Sequence, residues 1–292
     1  MVWWGVLTGA RALLGSVAVG VDAPVAVMGA LNVSPESFYA GSVHHRPDDL
    51  LAAAASMVEA GATLLDVGAR STAPYRATDV DEAAEADRLG RAVGLLVAKV
   101  SVPISADTAR PAPAARALEA GAAILNDQSG LADTRLAELA RDRGASVILM
   151  ASPAGSEPMA HAREPVAEVR VRLQTILDRA RRARIPDERI VLDPGIGFFR
   201  DAAVPWDVWD TTVLAGLHAL TGLGRPLCVG VSRKSFLGAL TGHHDPSQRL
   251  AGSLAATAVA VVNGAAVIRT HDVAQTRDAV RVAERLRPLG RS

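Results

Sequence analysis

The chain has 292 residues, 49% of them hydrophobic, and balances 31 Lys and Arg against 31 Asp and Glu. That length suits one large domain or two small ones, and zero net charge gives no long-range attraction for nucleic acid or an acidic membrane surface, which need a basic excess. The lone Cys228 excludes a disulfide framework, and no Cys/His cluster has zinc spacing, so a reducing, cytoplasmic setting is expected.

From the start, Met1 to Asp22 is apolar but carries Arg11 midway, with no basic stretch before it. It fits poorly as a signal peptide and is too short to span a bilayer. Residues 1–24 are therefore expected to form a small hairpin or cap on a domain of residues 25–292. Beyond it a short pattern recurs four times, as Gly61-Ala-Thr-Leu-Leu, Gly121-Ala-Ala-Ile-Leu, Gly144-Ala-Ser-Val-Ile and Gly264-Ala-Ala-Val-Ile. Each copy follows an Ala/Arg/Glu-rich stretch of helical periodicity. A Gly that closes a helix in the left-handed conformation, followed by a branched apolar run, is the helix-to-strand half of a βα repeat.

Apolar runs at 25–31, 102–106, 189–192 and 226–231 bring the strands to eight, with helices predicted over 48–60, 79–100, 111–120, 134–143, 166–183, 211–220, 247–263 and 273–286. Eight strand-then-helix units predict an α/β fold of the (β/α)8 TIM barrel type. A doubly wound open sheet is the second architecture, because alternation alone does not prove closure.

Polar residues collect at the strand ends: Asn32, Asp66, Asp107, Asn126 with Asp127, Asp193, Ser232 to Ser235, and Arg269 with His271. Any one of them alone is commonly a helix cap or a turn residue. Seven strands of eight ending this way point to a reactive face, and in a barrel those ends converge. The Phe and Tyr residues follow the same map, at Phe38, Tyr39, Tyr75, Phe198, Phe199 and Phe236; in a chain with 3% aromatics they are expected either to stack on a flat ligand or to plug the mouth. Only Lys99 and Lys234 are lysines, so Lys234 suggests a place that needs a compact ammonium rather than a wide guanidinium.

The runs Met28-Gly-Ala-Leu-Asn-Val-Ser-Pro-Glu-Ser-Phe38, Asp107-Thr108, Asn126-Asp127, Asp193-Pro-Gly-Ile-Gly-Phe198, Ser232-Arg-Lys-Ser-Phe236 and Arg269-Thr-His-Asp272 occur in the order and spacing of the dihydropteroate synthases, which the chain resembles from about Val25 to Leu286. The resemblance implies a barrel that joins a 6-hydroxymethyl-dihydropterin pyrophosphate to p-aminobenzoate and releases pyrophosphate. It assigns the pterin to Asp107, Asn126, Asp193, Lys234 and Phe198, and the arylamine to Phe38, Ser71, Thr72 and Ser235. Pyrophosphate falls to Asn32, Arg269 and His271, with Asn32 also contributing to a Mg2+ ion. Lys234, Asp107, Arg269 and His271 are the implied catalytic residues. A carboxylate suits a pterin edge because it accepts an amino group and a ring N–H in parallel, and no covalent nucleophile is needed when charge stabilisation and positioning do the work.

Two loop positions depart from the family pattern: its loop Asp is Ala40 here and its loop Arg is Ala73, while Met-His after the fifth strand is Met150-Ala151. These changes spare the pterin side and alter the acceptor side. They open two alternatives, a ribosylated arylamine as in methanopterin-type cofactor synthesis and a non-catalytic pterin-binding paralogue. A pterin-dependent methyltransferase serving a corrinoid protein is disfavoured because Lys234, Arg269 and His271 are all present. A homodimer is expected, with neither nucleic acid nor membrane as partner.

Overall fold

The four Gly-led repeats turn as their sequence demands: Gly61, Gly121, Gly144 and Gly264 have φ of 100°, 103°, 60° and 108°, a left-handed backbone that ends a helix and releases the chain into a strand. The computed structural model in which they are seen describes residues 10–34, 46–70, 80–153, 164–200 and 204–287. Phe38, Tyr39, Ala40, Ser71, Thr72, Ala73 and Tyr75 lie outside the described residues.

A two-stranded antiparallel hairpin, β1 (Arg11–Leu14) and β2 (Val17–Gly20), opens the described chain. Strands and helices then alternate: β3 (Ala26–Asn32), α1 (Pro47–Glu59), β4 (Leu64–Gly68), α2 (Glu82–Val97), β5 (Ile104–Asp107), α3 (Pro111–Glu119), β6 (Ile124–Asp127) and α4 (Thr134–Asp142). β7 (Ser146–Met150), α5 (Pro165–Arg182), β8 (Ile190–Asp193), α6 (Trp206–Ala215), β9 (Leu227–Gly230), α7 (Ser235–Thr241), α8 (Leu250–Val262), β10 (Ala265–Thr270) and α9 (Val273–Leu286) complete the order. β3 to β10 are parallel and close on one another in the order β10-β3-β4-β5-β6-β7-β8-β9, so the expected barrel forms and the open sheet is excluded. Among the described residues no helix is long and apolar enough to cross a membrane.

One helix was expected over 211–220. The structure instead begins α6 at Trp206, behind Pro205, and ends it at Ala215, followed by 3-10 turns over Leu217–Leu223. Pro is favoured at a helix start, whereas Gly216 and Gly222 weaken continuation of the α-helix. Periodicity does not show the short α7, because seven residues hold too few helical periods to read, although the family resemblance implies a helix N-terminus at Ser235.

Strand alternation explains where the core stops and the site begins. Outward residues such as Val27, Leu65, Ile104, Val147 and Leu192 pack beneath the helices in one continuous cluster. The inward set forms a second cluster, Met28, Leu64, Ile124, Ile148, Val191, Cys228 and Val267, closed from below by Ala12, Leu14 and Val19 of the hairpin. Leu14 is fully buried there. Because side chains repeat every second residue, the next inward layer falls on Asp66, Asn126, Met150, Asp193, Gly230 and Arg269, so one step along β4, β6, β8 and β10 carries the barrel from apolar to polar or charged side chains.

Removing Leu14 opens a cavity at the barrel floor, so Leu14→Ala is expected to destabilise the protein by about 2–5 kcal/mol in urea unfolding. A loss under about 1 kcal/mol would show that the hairpin does not share the core.

Candidate active site at the barrel mouth

Arg269, projecting inward from β10, ties the charged layer together. Its Nε donates to Asp66 Oδ2 at 2.6 Å and its Nη2 to Asp107 Oδ2 at 3.0 Å. Asn126 Nδ2 donates to the same Asp66 oxygen at 3.1 Å, and Gln128 Nε2 to Asp107 Oδ1 at 2.9 Å. Asp66 Oδ1 is buried with no hydrogen-bond partner among the described residues. Burial and the neighbouring Asp66 carboxylate push Asp107 up to about 7, against the opposing pull of Arg269. Burial alone opposes charge on Arg269, but Asp66 and Asp107 outweigh it and hold the guanidinium protonated.

Behind this layer Glu85 of α2 is buried and accepts Thr108 Oγ1 at 2.7 Å and Arg110 Nη1 at 3.2 Å, with Arg70 Nε 3.3 Å away. It therefore joins the ends of β4 and β5 to a helix, which keeps Asp66 and Asp107 in register.

On the opposite wall Asp193 Oδ1 accepts Gly195 N at 2.8 Å, and its other oxygen carries no hydrogen bond among the described residues. Burial raises the Asp193 carboxyl, and the Lys234 ammonium opposes that rise. Lys234 reaches across the turn after β8 to donate to Ile196 O, with its Nζ 5.0 Å from the centre of the Phe198 ring. Gly197 has φ of 88°, and a Cβ there would stand 2.9 Å from Lys234 Cδ, so the turn leaves room for the lysine only because the residue is Gly.

His271 is expected as a partner for pyrophosphate, but the structure does not present it as a cation. Burial, with Arg269, Arg233 and Lys234 nearby, pushes it down to about 3, so it is neutral at neutral pH. Ser232 Oγ accepts from His271 N at 3.3 Å and lies 3.0 Å from Nδ1. The ring roles follow the tautomer: a hydroxyl hydrogen directed at Nδ1 would put the ring proton on Nε2, and the opposite tautomer would make Nδ1 the donor to Ser232 Oγ. Arg269, its companion in that role, is already paired with two carboxylates, which leaves Nη1 as its group without a partner among the described residues.

Ser235 Oγ accepts Arg200 Nη2 at 2.5 Å, and Arg200 lies over the Trp206 ring at 4.2 Å. Arg200 is thus a cation beside the residue assigned to the arylamine, one that the motif reading passed over. Two of the strand-end aromatics plug the fold instead of facing a ligand: Phe199 and Phe236 are each 1% exposed, and Phe199 stacks on Trp209 at 4.8 Å. Asp127 also turns away from the mouth, accepting Ser129 N and Leu131 N at 2.7 Å each to shape its own loop. Arg233, at φ of 54°, is fixed by Asp272 and by the carbonyls of Pro246 and Ser247, a structural role that holds the turn bearing Lys234.

Among the described residues no group of three or more His, Cys, Asp or Glu gathers as a metal cage. Asn32 Oδ1 and Asp107 Oδ2 both lie beside Gly68, each 3.6 Å from where a Cβ on that residue would stand. An amide and a carboxylate oxygen are hard donors that suit Mg2+, an ion that binds few protein groups and keeps several waters.

The family model described as pterin binding enzyme matches residues 28–271. The dihydropteroate synthase of Escherichia coli K12 is 37% identical over 261 residues, covering 88% of this chain and 90% of its own length. The Xanthomonas albilineans dihydropteroate synthase with 4-aminobenzoic acid superposes with a TM-score of 0.84 at 35% identity, covering 97% and 100% of the two chains. The structure of that enzyme in complex with 7,8-dihydropteroate gives 0.81 at 34% identity over 96% and 99%.

Replacing Arg269 by Met leaves buried carboxylates without their cation, at an expected cost of about 3–5 kcal/mol at pH 8. Asp107 already has its folded value above its unfolded one, so it contributes stability at low pH that is lost as pH rises through about 7. Losing Arg269 raises it further, and the penalty in urea unfolding should therefore shrink markedly below about pH 6; an equal penalty at both pH values would contradict this reading of the cluster.

Proposed function

Because this chain belongs to the dihydropteroate synthase family of pterin-binding enzymes, we infer that it condenses 6-hydroxymethyl-7,8-dihydropterin pyrophosphate with p-aminobenzoate and releases pyrophosphate. The observation that carries this reading is the inward layer itself: Asp66, Asp107, Asn126, Asp193 and Arg269 meet at one barrel mouth with Lys234 and Phe198 beside them.

In this reading the pterin ring lies on that layer. Asp193 accepts its amino group and ring N–H, while Asp107 and Asn126 meet its other polar edge. Lys234 donates to a ring acceptor, and Phe198 covers a face. Breaking the methylene C–O bond leaves cationic character on the carbon, which the ring and the surrounding carboxylates stabilise. The arylamine nitrogen then forms the C–N bond and loses one proton. Nε2 of His271 and Nη1 of Arg269 donate to the departing pyrophosphate. Asn32, with Asp107 close by, would hold Mg2+, which would there serve to neutralise pyrophosphate charge. Ser235, with Arg200 against it, receives the arylamine carboxylate. We further propose a cytoplasmic homodimer.

The direct test is pyrophosphate release with Mg2+, comparing p-aminobenzoate with a ribosylated aniline phosphate. Release with p-aminobenzoate is expected; release only with the ribosylated acceptor would make Ala40 and Ala73 markers of a changed substrate, and none with either would favour a non-catalytic binder. Binding should also report on Asp107. Near pH 6 most of its carboxyl is protonated, and pterin N–H groups select the ionised form, so calorimetry in two buffers should show release of most of one proton. Asp107→Asn should abolish that release; its persistence would move the proton elsewhere.

A further inference from the structure

Helix α6 carries a buried carboxylate that the reaction does not use. Asp210 is 1% exposed, and its Oδ1 accepts Gly197 N at 2.7 Å. Its Oδ2 has no hydrogen-bond partner, so the link to Gly197 is the only one it makes among the described residues. A lone backbone contact is a poor return for burying a charge, and buried carboxylates normally sit opposite a cation.

The cation is one peptide unit away. The amide joining Ile196 to Gly197 presents its N–H to Asp210 and its C=O to the Lys234 ammonium. One peptide dipole is therefore gripped at both ends by opposite charges, and each charge strengthens the hydrogen bond made by the other. The next residue is Phe198, whose ring faces the same ammonium at 5.0 Å. Arg200 Nε adds a bond to Gly197 O at 3.3 Å, so the turn is pinned from both sides.

We propose that Asp210 is a positioning residue that fixes Lys234 and Phe198 for the pterin by holding the Ile196–Gly197 peptide between its own charge and that of the lysine. The proposal rests on the pterin-pocket reading, yet part of its test does not. Lys234 faces Asp193 from β8, Asp210 from α6, Arg269 from β10 and Arg200 from the turn, whereas Asp210 faces Lys234, Arg200 and Asp207. Burial raises Asp210 to about 6, so it is ionised at neutral pH and loses its charge below that value. Burial lowers Lys234, and Asp193 and Asp210 are the two charges that oppose the lowering.

Two variants separate charge from hydrogen bond. Asp210→Asn keeps an acceptor for Gly197 N–H but removes the charge. Asp210→Ala removes both. The chain has only two lysines, and Lys99 is exposed, so carbon NMR of isotopically labelled lysine resolves Lys234 against an internal reference. In Asp210→Asn the Lys234 titration should move to lower pH, with Lys99 unchanged and the fold intact by circular dichroism; a Lys234 titration identical to the wild type overturns the proposal. In Asp210→Ala the KM for the pterin pyrophosphate should rise about tenfold or more, with the arylamine KM within about twofold, as for loss of a charge-assisted contact to one substrate's subsite. A parallel rise in both KM values, or none, also overturns it. Should the wild type turn over neither arylamine, the functional reading fails while the lysine titration still decides the role of Asp210.

Discussion

A guanidinium shared by two carboxylates makes this barrel mouth possible. Asp66 and Asp107 enter from adjacent strands and would repel each other in a poorly hydrated layer. Arg269, from the strand on the far side of β3, meets both. With two carboxyl groups against one guanidinium, the cluster keeps an excess of acceptors, and the unpartnered Asp66 Oδ1 is one visible sign of it. A ligand edge rich in N–H groups satisfies such a surface; an anionic edge does not. The same arithmetic disfavours phosphate beside the carboxylates, in keeping with the proposed place for pyrophosphate near His271 and Arg269.

The fold was legible because its rule is repetition. Four Gly-led repeats gave the helix-to-strand junctions, and their φ values bear out the reason for Gly at each. The site was legible at the ends of strands, where Asp107, Asn126, Asp193, Lys234 and Arg269 do meet. One failure is a matter of parity. Asp127 and Asp193 both end a strand, but Asp127 follows the inward Ile124 by an odd step and turns outward to serve its loop, while Asp193 follows the inward Val191 by an even one and stays inward. Strand parity can be counted from sequence only once the strand boundaries are known to the residue.

Partners brought together by packing were illegible for a different reason. Glu85 and Asp210 sit on helices among ordinary charged residues, and nothing local distinguishes them from solvated positions. Their contacts appear only when α2 and α6 dock on the barrel and leave each carboxylate facing a turn that follows a strand. His271 was visible as a residue but not as a charge state, because its neutrality comes first from burial and then from Arg269 of the preceding strand and from Arg233 and Lys234 of one other turn.

The hairpin beneath the barrel has a kinetic consequence. With Ala12, Leu14 and Val19 sealing the lower end against Met28, Leu64 and Val191, the described barrel is a vessel with one opening. A flat ring resting on the charged layer occupies the bottom of that vessel, and anything bound nearer the rim stands in its path. In the proposed reading, where the pterin rests on that layer, an arylamine seated nearer the rim would stand in its path. The inward apolar layer and the hairpin together close the other end, so side chains that touch neither reactant help fix the side from which both would enter.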